Sequence, residues 1–144
     1  MKKHILLLLF FSSQSMAGEK TLRYAPSVVK VTGKLDLQTF PGPPGFESIK
    51  NGDDAERHFY LKLDTPFDVQ PSKEDEGVEN AEEEKNVRIL QLSISEENDK
   101  LWSRFRKLGK GGHVSIEGTL FHRFTGHHHS RVLLIVRKME PLLR

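Results

Sequence analysis

Hydrophobic and polar residues alternate with a period of two along four segments of the chain, and a fifth segment is apolar throughout. Alternation of this kind places apolar side chains on one face of a strand, so each of the four predicts a half-buried strand. The predicted strands cover residues 28–39, 57–63, 87–94, 114–124 and 132–136. The last of them is apolar at every position and rich in β-branched residues, which is typical of a strand covered on both faces.

One helix is predicted between the third and fourth strands. Its apolar positions are Leu101, Trp102, Phe105 and Leu108. These positions share one face of a helix, so the stripe predicts packing on the strands with Trp102 in the core. Ser95 is the predicted N-cap, and Gly109 follows the last turn.

The order of these elements predicts a mainly β protein, a small five-stranded OB-like barrel with one helix between strands 3 and 4. Gly33 and Gly118 occupy matching positions of the first and fourth strands, where glycine indicates a bulge or a sharp bend. A small antiparallel α+β sandwich is the alternative. In an OB-fold the loops that follow strands 1 and 4 flank one binding face, so residues 40–50 and 125–131 are predicted to be neighbours.

The two longest connections differ in composition. Residues 40–56 contain three prolines and three glycines, which exclude a helix or a central strand, and their apolar side chains favour an ordered loop. Residues 72–86 are acidic and almost free of apolar residues, so they predict a mobile insertion between strands.

Residues 1–17 have the organisation of a secretory signal peptide, with a basic start, a short apolar run and small residues at the end. Cleavage there would leave residues 18–144 as a single domain. The apolar run, residues 5–11, is too short to span a bilayer. These features predict a periplasmic protein without a membrane span. The sequence contains no cysteine, so packing rather than disulfide bonds must stabilise the fold.

The charges balance once the signal peptide is removed. The chain has 22 basic and 20 acidic side chains, and two of the basic ones lie in the signal peptide. Residues 72–99 are acid-rich, whereas residues 100–144 are base-rich. The simplest interpretation is that the two regions neutralise each other within the molecule. Export also argues against a nucleic-acid partner.

The turn predicted between the fourth and fifth strands contains three consecutive histidines. In an extended segment His127 and His129 share a face, so they could bind one zinc or copper ion while His128 points away. Alternatively, the three imidazoles hydrogen-bond to the backbone and to neighbouring loops, and so hold the turn. His122 lies on the core-facing side of the fourth strand and is predicted to be a hydrogen-bonded structural residue.

Three segments occur together in this chain: VxGxL in the first strand, the loop FPGPPGFESI, and GTLFHRFTGHHHSRVLL near the end. With these segments, the chain resembles an exported bacterial family catalogued as domain of unknown function 4431, over nearly all of the mature sequence. The resemblance implies the export signal, the loop and the histidine turn. It implies no activity, cofactor or site residue.

The sequence contains no catalytic motif, since it lacks cysteine and GxSxG and its glycine-rich segments match neither a phosphate loop nor a dinucleotide fingerprint. We therefore predict a periplasmic, non-catalytic binding module without a cofactor, which recognises a protein or other macromolecule through residues 40–50 and 125–131. The candidate partner-binding residues are Phe40, Phe46, Tyr60, His127, His128 and His129. Tyr60 is included because it lies on the outward face of the second strand. The alternative is a transition-metal or small-ligand binding protein that uses His127 and His129.

Overall fold

Strands and one α-helix make up most of residues 20–74, 82–95 and 97–143, which are the residues that the computed structural model describes. The strands are β1 (Lys20–Arg23), β2 (Val28–Pro41), β3 (Ala55–Gln70), β4 (Glu84–Ser93), β5 (His113–His122) and β6 (Val132–Pro141). The helix is α1 (Asp99–Leu108), and a short 3-10 helix covers Ile49–Asn51. The described chain is thus mainly β, as predicted. The predicted signal peptide, residues 1–17, lies outside these residues.

The strands form one sheet in the order β1-β3-β2-β5-β6-β4, and β3 also pairs with β4. Because of this additional pairing, the five longer strands make a ring of hydrogen-bonded neighbours. Within the ring β4 and β6 are parallel, and the other pairs are antiparallel. The helix connects β4 to β5, which is the place predicted for it.

The prediction of five strands misses β1, which pairs in parallel with Phe67–Gln70 at the end of β3. This strand has four residues, of which Leu22 alone is aliphatic, so it has no alternating pattern. Its partner is distant in sequence, and no local pattern could indicate that pairing. The chain continues into Tyr24, whose side chain is buried in the core.

β3 is also longer than predicted, because it continues through Pro66 to Gln70. A proline within a strand is unusual, since it has no N–H to donate to a ladder. The register between β3 and β4 shifts between Lys62 and Phe67. An irregularity of this kind accommodates a proline inside a strand, because the regular ladder is interrupted there.

The predicted acidic insertion, residues 72–86, ends earlier than expected, because Glu84–Asn86 belong to β4. Residues 75–81 lie outside the described part of the chain. Glu84 is buried, and its carboxylate contacts Arg131 at 2.6 Å and His122 at 2.9 Å. A buried charge needs such partners. Composition alone cannot reveal them, because they lie on distant segments.

The N-cap of α1 is Asn98 rather than Ser95. The side-chain oxygen of Asn98 accepts a hydrogen bond from the backbone N–H of Leu101 at 3.1 Å. The backbone oxygen of Ser95 accepts one from Nε1 of Trp102 at 3.1 Å. Gly109 is the C-cap, as its position predicted. Leu101 and Phe105 are buried, whereas Trp102 is partly buried against the core. None of the helices in the described segments is long and apolar enough to cross a membrane.

The core contains paired side chains of β5 and β6, among them Leu120 and Leu134, which are opposite each other and fully buried. Both predicted glycine bends lie where two strands approach closely. A Cβ at Gly33 would lie 2.2 Å from the backbone oxygen of Lys62, and one at Gly118 would lie 1.9 Å from that of Ile135. Neither position can therefore hold a side chain without movement of a strand.

Candidate functional site

The loop that joins β2 to β3, residues 42–54, is organised around the carboxylate of Asp53. Its oxygens accept backbone N–H groups from Gly45 at 2.7 Å and from Glu47 and Ser48 at 2.8 Å each. The hydrogen bond from Ser48, with those from the other two residues, holds the pKa of Asp53 below its usual value. The loop is thus a structured element, in which backbone donors surround one carboxylate.

The histidine turn, residues 125–131, is held by Gln91 of β4. The side-chain oxygen of Gln91 accepts the backbone N–H of His129 at 2.6 Å, and its amide donates to the backbone oxygen of His127 at 2.8 Å. The backbone N–H of Gln91 also donates to Oγ of Ser130 at 3.0 Å. Gln91 is 3% exposed, so these bonds lie out of water and fix the turn on the ring of strands.

The loop and the histidine turn touch each other through Phe46. Its ring lies edge-on to the imidazole of His127, with 5.0 Å between centroids. A Cβ at Gly126 would lie 3.3 Å from the same phenyl ring, so the small residue lets the loop pack closely. Phe46 has φ 56°, a left-handed conformation that costs a non-glycine residue about 1–2 kcal/mol. Residues 40–50 and 125–131 are therefore neighbours, as the predicted strand order requires.

One carboxylate and three imidazoles meet beneath this contact, and we call them the histidine–glutamate cluster: Glu56, His58, His127 and His129. Oε2 of Glu56 accepts from Nε2 of His58 at 3.2 Å. Oε1 accepts from Nδ1 of His127 at 2.5 Å. Glu56 and His58 are two residues apart on β3, so both side chains lie on the same face of the strand.

The imidazole of His129 completes the cluster and is fixed by stacking. Its ring lies parallel to that of Phe40, with a centroid distance of 4.2 Å and an interplanar angle of 6°. Nε2 of His129 is buried and has no hydrogen-bond partner. The nearest carboxylate oxygen, Oε2 of Glu56, is 3.6 Å away, which is too long for a hydrogen bond. A buried nitrogen without a protein partner is uncommon, and a bound ion or an ordered water would satisfy it.

Burial and hydrogen bonding have opposite effects on the pKa of Glu56. Burial raises it, whereas the hydrogen bonds from His58 and His127 lower it and prevail, so the pKa of Glu56 lies below its usual value. Burial lowers the pKa of His129, and the nearby Glu56 only partly opposes that shift. At neutral pH, Glu56 is therefore ionised and the imidazole of His129 is neutral.

His128 points away from the cluster, as the alternation along the turn predicted. Its Nδ1 accepts the backbone N–H groups of Phe124 at 3.1 Å and Thr125 at 3.3 Å. Its ring packs edge-on against Phe121 and Phe124. These contacts hold the turn, so for His128 the structural role left open by the sequence has direct support. The strand predicted for residues 114–124 would place Phe124 on the same core-facing side as His122. In the structure β5 ends at His122, and Phe124 is 70% exposed, so this part of the prediction is wrong.

The structure brings together Phe40, Phe46, His127 and His129, but it removes Tyr60 from the surface. Tyr60 is 2% exposed and donates its hydroxyl to Gln91 at 3.3 Å, so the prediction that it faces outward beside the loops is wrong. The physical reason is that the side chains of Phe40, whose ring centroid is 5.6 Å away, and Gln91 lie against the Tyr60 ring. His122 is a hydrogen-bonded structural residue, as predicted, through Glu84.

Sequence reasoning missed three residues of this site: Glu56, His58 and Gln91. The first two have a local signal, because the spacing Glu-x-His at the start of a strand places a carboxylate and an imidazole on one face. The predicted strand began at residue 57, so Glu56 was assigned to the preceding loop and the pair was overlooked. Gln91 has no such signal, since a single polar residue on a strand does not reveal which loop will cover it.

A groove extends from α1 to the histidine turn. Its two parts have volumes of about 490 and 340 Å³. Arg57 and Trp102 line both parts, so the parts are contiguous. Arg106 and Asp99 of α1 lie at one end, and His127 lies at the other.

No curated protein matches this chain. The family model described as Domain of unknown function (DUF4431) matches residues 89–140, which include α1, β5 and the histidine turn. The loop 42–54 and the Glu56–His58 pair precede the matched segment. Residues 89–140 are therefore similar to this family, whose description assigns no activity.

Proposed function

We propose that this protein is an exported, non-catalytic binding module built on an OB-like barrel, and that it recognises a protein partner. The strand order supports the OB-like assignment. The ring runs β2-β3-β4-β6-β5, and the helix precedes the fourth of these strands in sequence. In OB-folds, the loops after strands 1 and 4 flank the binding face. Here these are the loop 42–54 and the histidine turn.

The contact of Phe46 with His127 is the observation that carries this proposal, because it joins the two loops beside the groove. Aromatic, arginine and histidine side chains along the groove suit macromolecular recognition, since tryptophan, tyrosine and arginine dominate the binding energy of protein interfaces. The groove has two adjoining parts and is only partly enclosed, so it suits an extended polypeptide segment better than an enclosed small molecule.

The charges along the groove favour an acidic segment. Arg57 and Arg106 line it, against one carboxylate, Asp99. Arginine also forms bidentate hydrogen bonds with carboxylates, which gives specificity as well as attraction. We expect the partner to place an apolar side chain against Trp102 and acidic side chains near the arginines.

The test is capture of a partner from extract of the source cells on immobilised protein without a histidine tag, followed by an affinity measurement with the isolated partner. Phe46→Ala and Arg57→Ala should each weaken binding about tenfold or more, the loss expected at a well-buried contact of an interface. Lys30→Ala is the matched control, because this exposed residue of β2 lies outside both loops and the groove. If affinity survives replacement of Phe46 together with all three turn histidines, this surface is not the binding site.

Export is a separate part of the proposal and has its own measurement. It rests on the sequence of residues 1–17. The mass of the protein recovered from the periplasm should correspond to a chain that begins at Gly18. A chain that retains Met1 and stays in the cytoplasm would contradict export without affecting the binding surface.

A further inference from the structure

Three ligand atoms of the histidine–glutamate cluster converge on one point. They belong to Glu56, His58 and His129, and all lie within 4.8 Å of one another. Oε2 of Glu56 is 3.2 Å from Nε2 of His58 and 3.6 Å from Nε2 of His129. Ligand atoms bound to one tetrahedral zinc ion at roughly 2.0–2.1 Å lie about 3.3 Å apart. These two separations bracket that value, and the ligand atoms of His58 and His129 lie within 4.8 Å of each other, so the arrangement is close to that of such a site.

We propose that Glu56, His58 and His129 bind a divalent transition-metal ion, with His127 as the outer hydrogen-bond partner of the carboxylate. The two imidazoles and the carboxylate supply three ligands and leave one position for water or for a group of a partner. In this arrangement the ion replaces the hydrogen bond between Nε2 of His58 and Oε2 of Glu56.

The buried Nε2 of His129 is the first observation that supports this site. It is aimed at the cluster and has no hydrogen-bond partner, so an ion there would satisfy it. The stack on Phe40 and the backbone hydrogen bond to Gln91 hold the ring in that orientation. A preorganised ligand loses little freedom when it binds an ion, which favours affinity.

His127 provides the second observation. It donates to Oε1 of Glu56 and thereby turns Oε2 towards His58 and His129. Hydrogen-bond partners of this kind orient the ligands of metal sites, and their loss typically weakens metal affinity about 10- to 100-fold. The alternation of the sequence predicted His127 and His129 as the ligand pair. The structure places only His129 among the converging atoms.

The exposure of the side chains also fits an ion site with an entry path. The side chains of Glu56, His58 and His129 are 14–24% exposed, whereas that of His127 is 54% exposed. The ligands are thus largely shielded, and the outer partner borders solvent. Imidazole with carboxylate selects zinc, copper or nickel over magnesium and calcium, which prefer oxygen ligands.

A second group with suitable spacing, Glu82, Glu84 and His122, is a weaker candidate. The guanidinium of Arg131 already contacts Oε2 of Glu84 at 2.6 Å, and Nε2 of His122 donates to Oε1 of the same carboxylate. This carboxylate has its cationic partner, so an added cation would have to displace arginine. No comparable guanidinium contact occurs at Glu56 among the ion pairs of the described residues.

This inference goes beyond the proposed protein recognition and does not depend on it. The ion would tie β3 to the histidine turn, both of which border the groove. Metal binding is measured on the protein alone, so its failure and the failure of partner binding are distinguishable.

The test is calorimetric titration of Zn²⁺ into the purified protein without a histidine tag, with Mg²⁺ as the comparison. We expect one zinc ion per chain and no magnesium binding. His58→Ala and His129→Ala should each weaken zinc affinity at least about 100-fold, and His127→Ala about 10-fold, as expected for an outer partner. His113→Ala is the matched control, since this histidine pairs with Asp64 away from the cluster and should leave affinity unchanged.

The effect of His128→Ala on zinc affinity distinguishes a site with defined ligand geometry from non-specific metal binding by three consecutive histidines. If the site has the proposed ligands, this change should alter zinc affinity less than about threefold, because His128 faces Phe121 and Phe124. Equal losses for His127, His128 and His129 would overturn the proposal, as would the absence of stoichiometric zinc binding.

A second measurement uses the unaltered protein and therefore does not require any variant to fold. In the unaltered protein, Cu²⁺ should broaden the imidazole proton NMR signals of His58 and His129 first, and leave those of His113 sharp. Broadening of His113 together with the cluster, or broadening confined to His127 and His128, would contradict the assigned ligands.

Discussion

The side chain of Gln91 bonds to the backbone of two histidines. Its Oε1 accepts the N–H of His129 at 2.6 Å, and its amide nitrogen donates to the backbone oxygen of His127. One buried glutamine thus positions two histidines that are not adjacent to it in sequence. Its backbone N–H adds a hydrogen bond to Ser130. The orientation of the histidine turn depends on this residue of β4.

We expect Gln91→Leu to lower the free energy of unfolding by about 2–4 kcal/mol. The change leaves the backbone groups of His127 and His129 without their partners, and each such group costs about 1–3 kcal/mol when buried. Urea unfolding followed by circular dichroism measures the loss. Arg88→Leu is the control on the same strand, because Arg88 is exposed and its replacement should change stability by less than about 0.5 kcal/mol. An equal effect of both changes would contradict the role of Gln91.

Gly118→Ala should destabilise the fold because its new Cβ would lie 1.9 Å from the backbone oxygen of Ile135. The strands β5 and β6 would have to separate, and overpacking of this kind typically costs about 1–3 kcal/mol or more. Thermal unfolding should show a lower midpoint. Gly112→Ala is the control, since its Cβ would meet nothing closer than 3.4 Å. A Gly118→Ala protein with unchanged stability would mean that β5 and β6 are not so close.

The core of the ring can be tested at Leu120 and Leu134, which are opposite each other and fully buried. Replacement of either by alanine leaves a cavity and should cost about 2–5 kcal/mol. Ile135→Ala is the control on the strand of Leu134, because Ile135 is 45% exposed and its loss leaves no enclosed space. Denaturant unfolding compares the three. Losses below about 0.5 kcal/mol at both leucines would show that the assigned core face is wrong.

Asp36 should make the protein sensitive to acid. Its buried carboxylate contacts the side-chain amide of Gln38 at 3.0 Å, Lys62 at 2.9 Å and Lys110 at 3.4 Å. The hydrogen bond from Gln38, followed by that from Lys62, lowers the pKa of Asp36 far below its usual value. The folded pKa is lower than the unfolded value of about 3.9, so the unfolded chain takes up this proton first.

The contribution of Asp36 is therefore complete above about pH 5 and declines as the pH falls below about 4. Asp36→Asn should reduce the free energy of unfolding at pH 7 and should flatten its dependence on pH between about 5 and 2. Urea unfolding across this range provides the comparison. Asp54→Asn, at an exposed position of the loop, should keep the pH dependence of the unaltered protein. A slope that is unchanged by Asp36→Asn would contradict this assignment.

The sequence by itself determined the local part of this protein. Alternation of apolar residues identified four of the longer strands, a continuous apolar run identified β6, and one apolar stripe identified α1, because these patterns depend only on residues close together in sequence. Gly33 and Gly118 were recognisable for the same local reason, since glycine inside a strand indicates a bulge or a sharp bend. The two unusual loops also stood out by composition alone.

Only the tertiary structure decided which distant groups meet. Glu56 and His127 are 71 positions apart, and they touch because the ring closes and brings the start of β3 under the histidine turn. The tertiary structure also buries Tyr60, gives Glu84 its partners and pairs Lys20–Arg23 with the end of β3. A local pattern specifies the face of a strand but not the segment that covers it, because that choice depends on how all the strands pair.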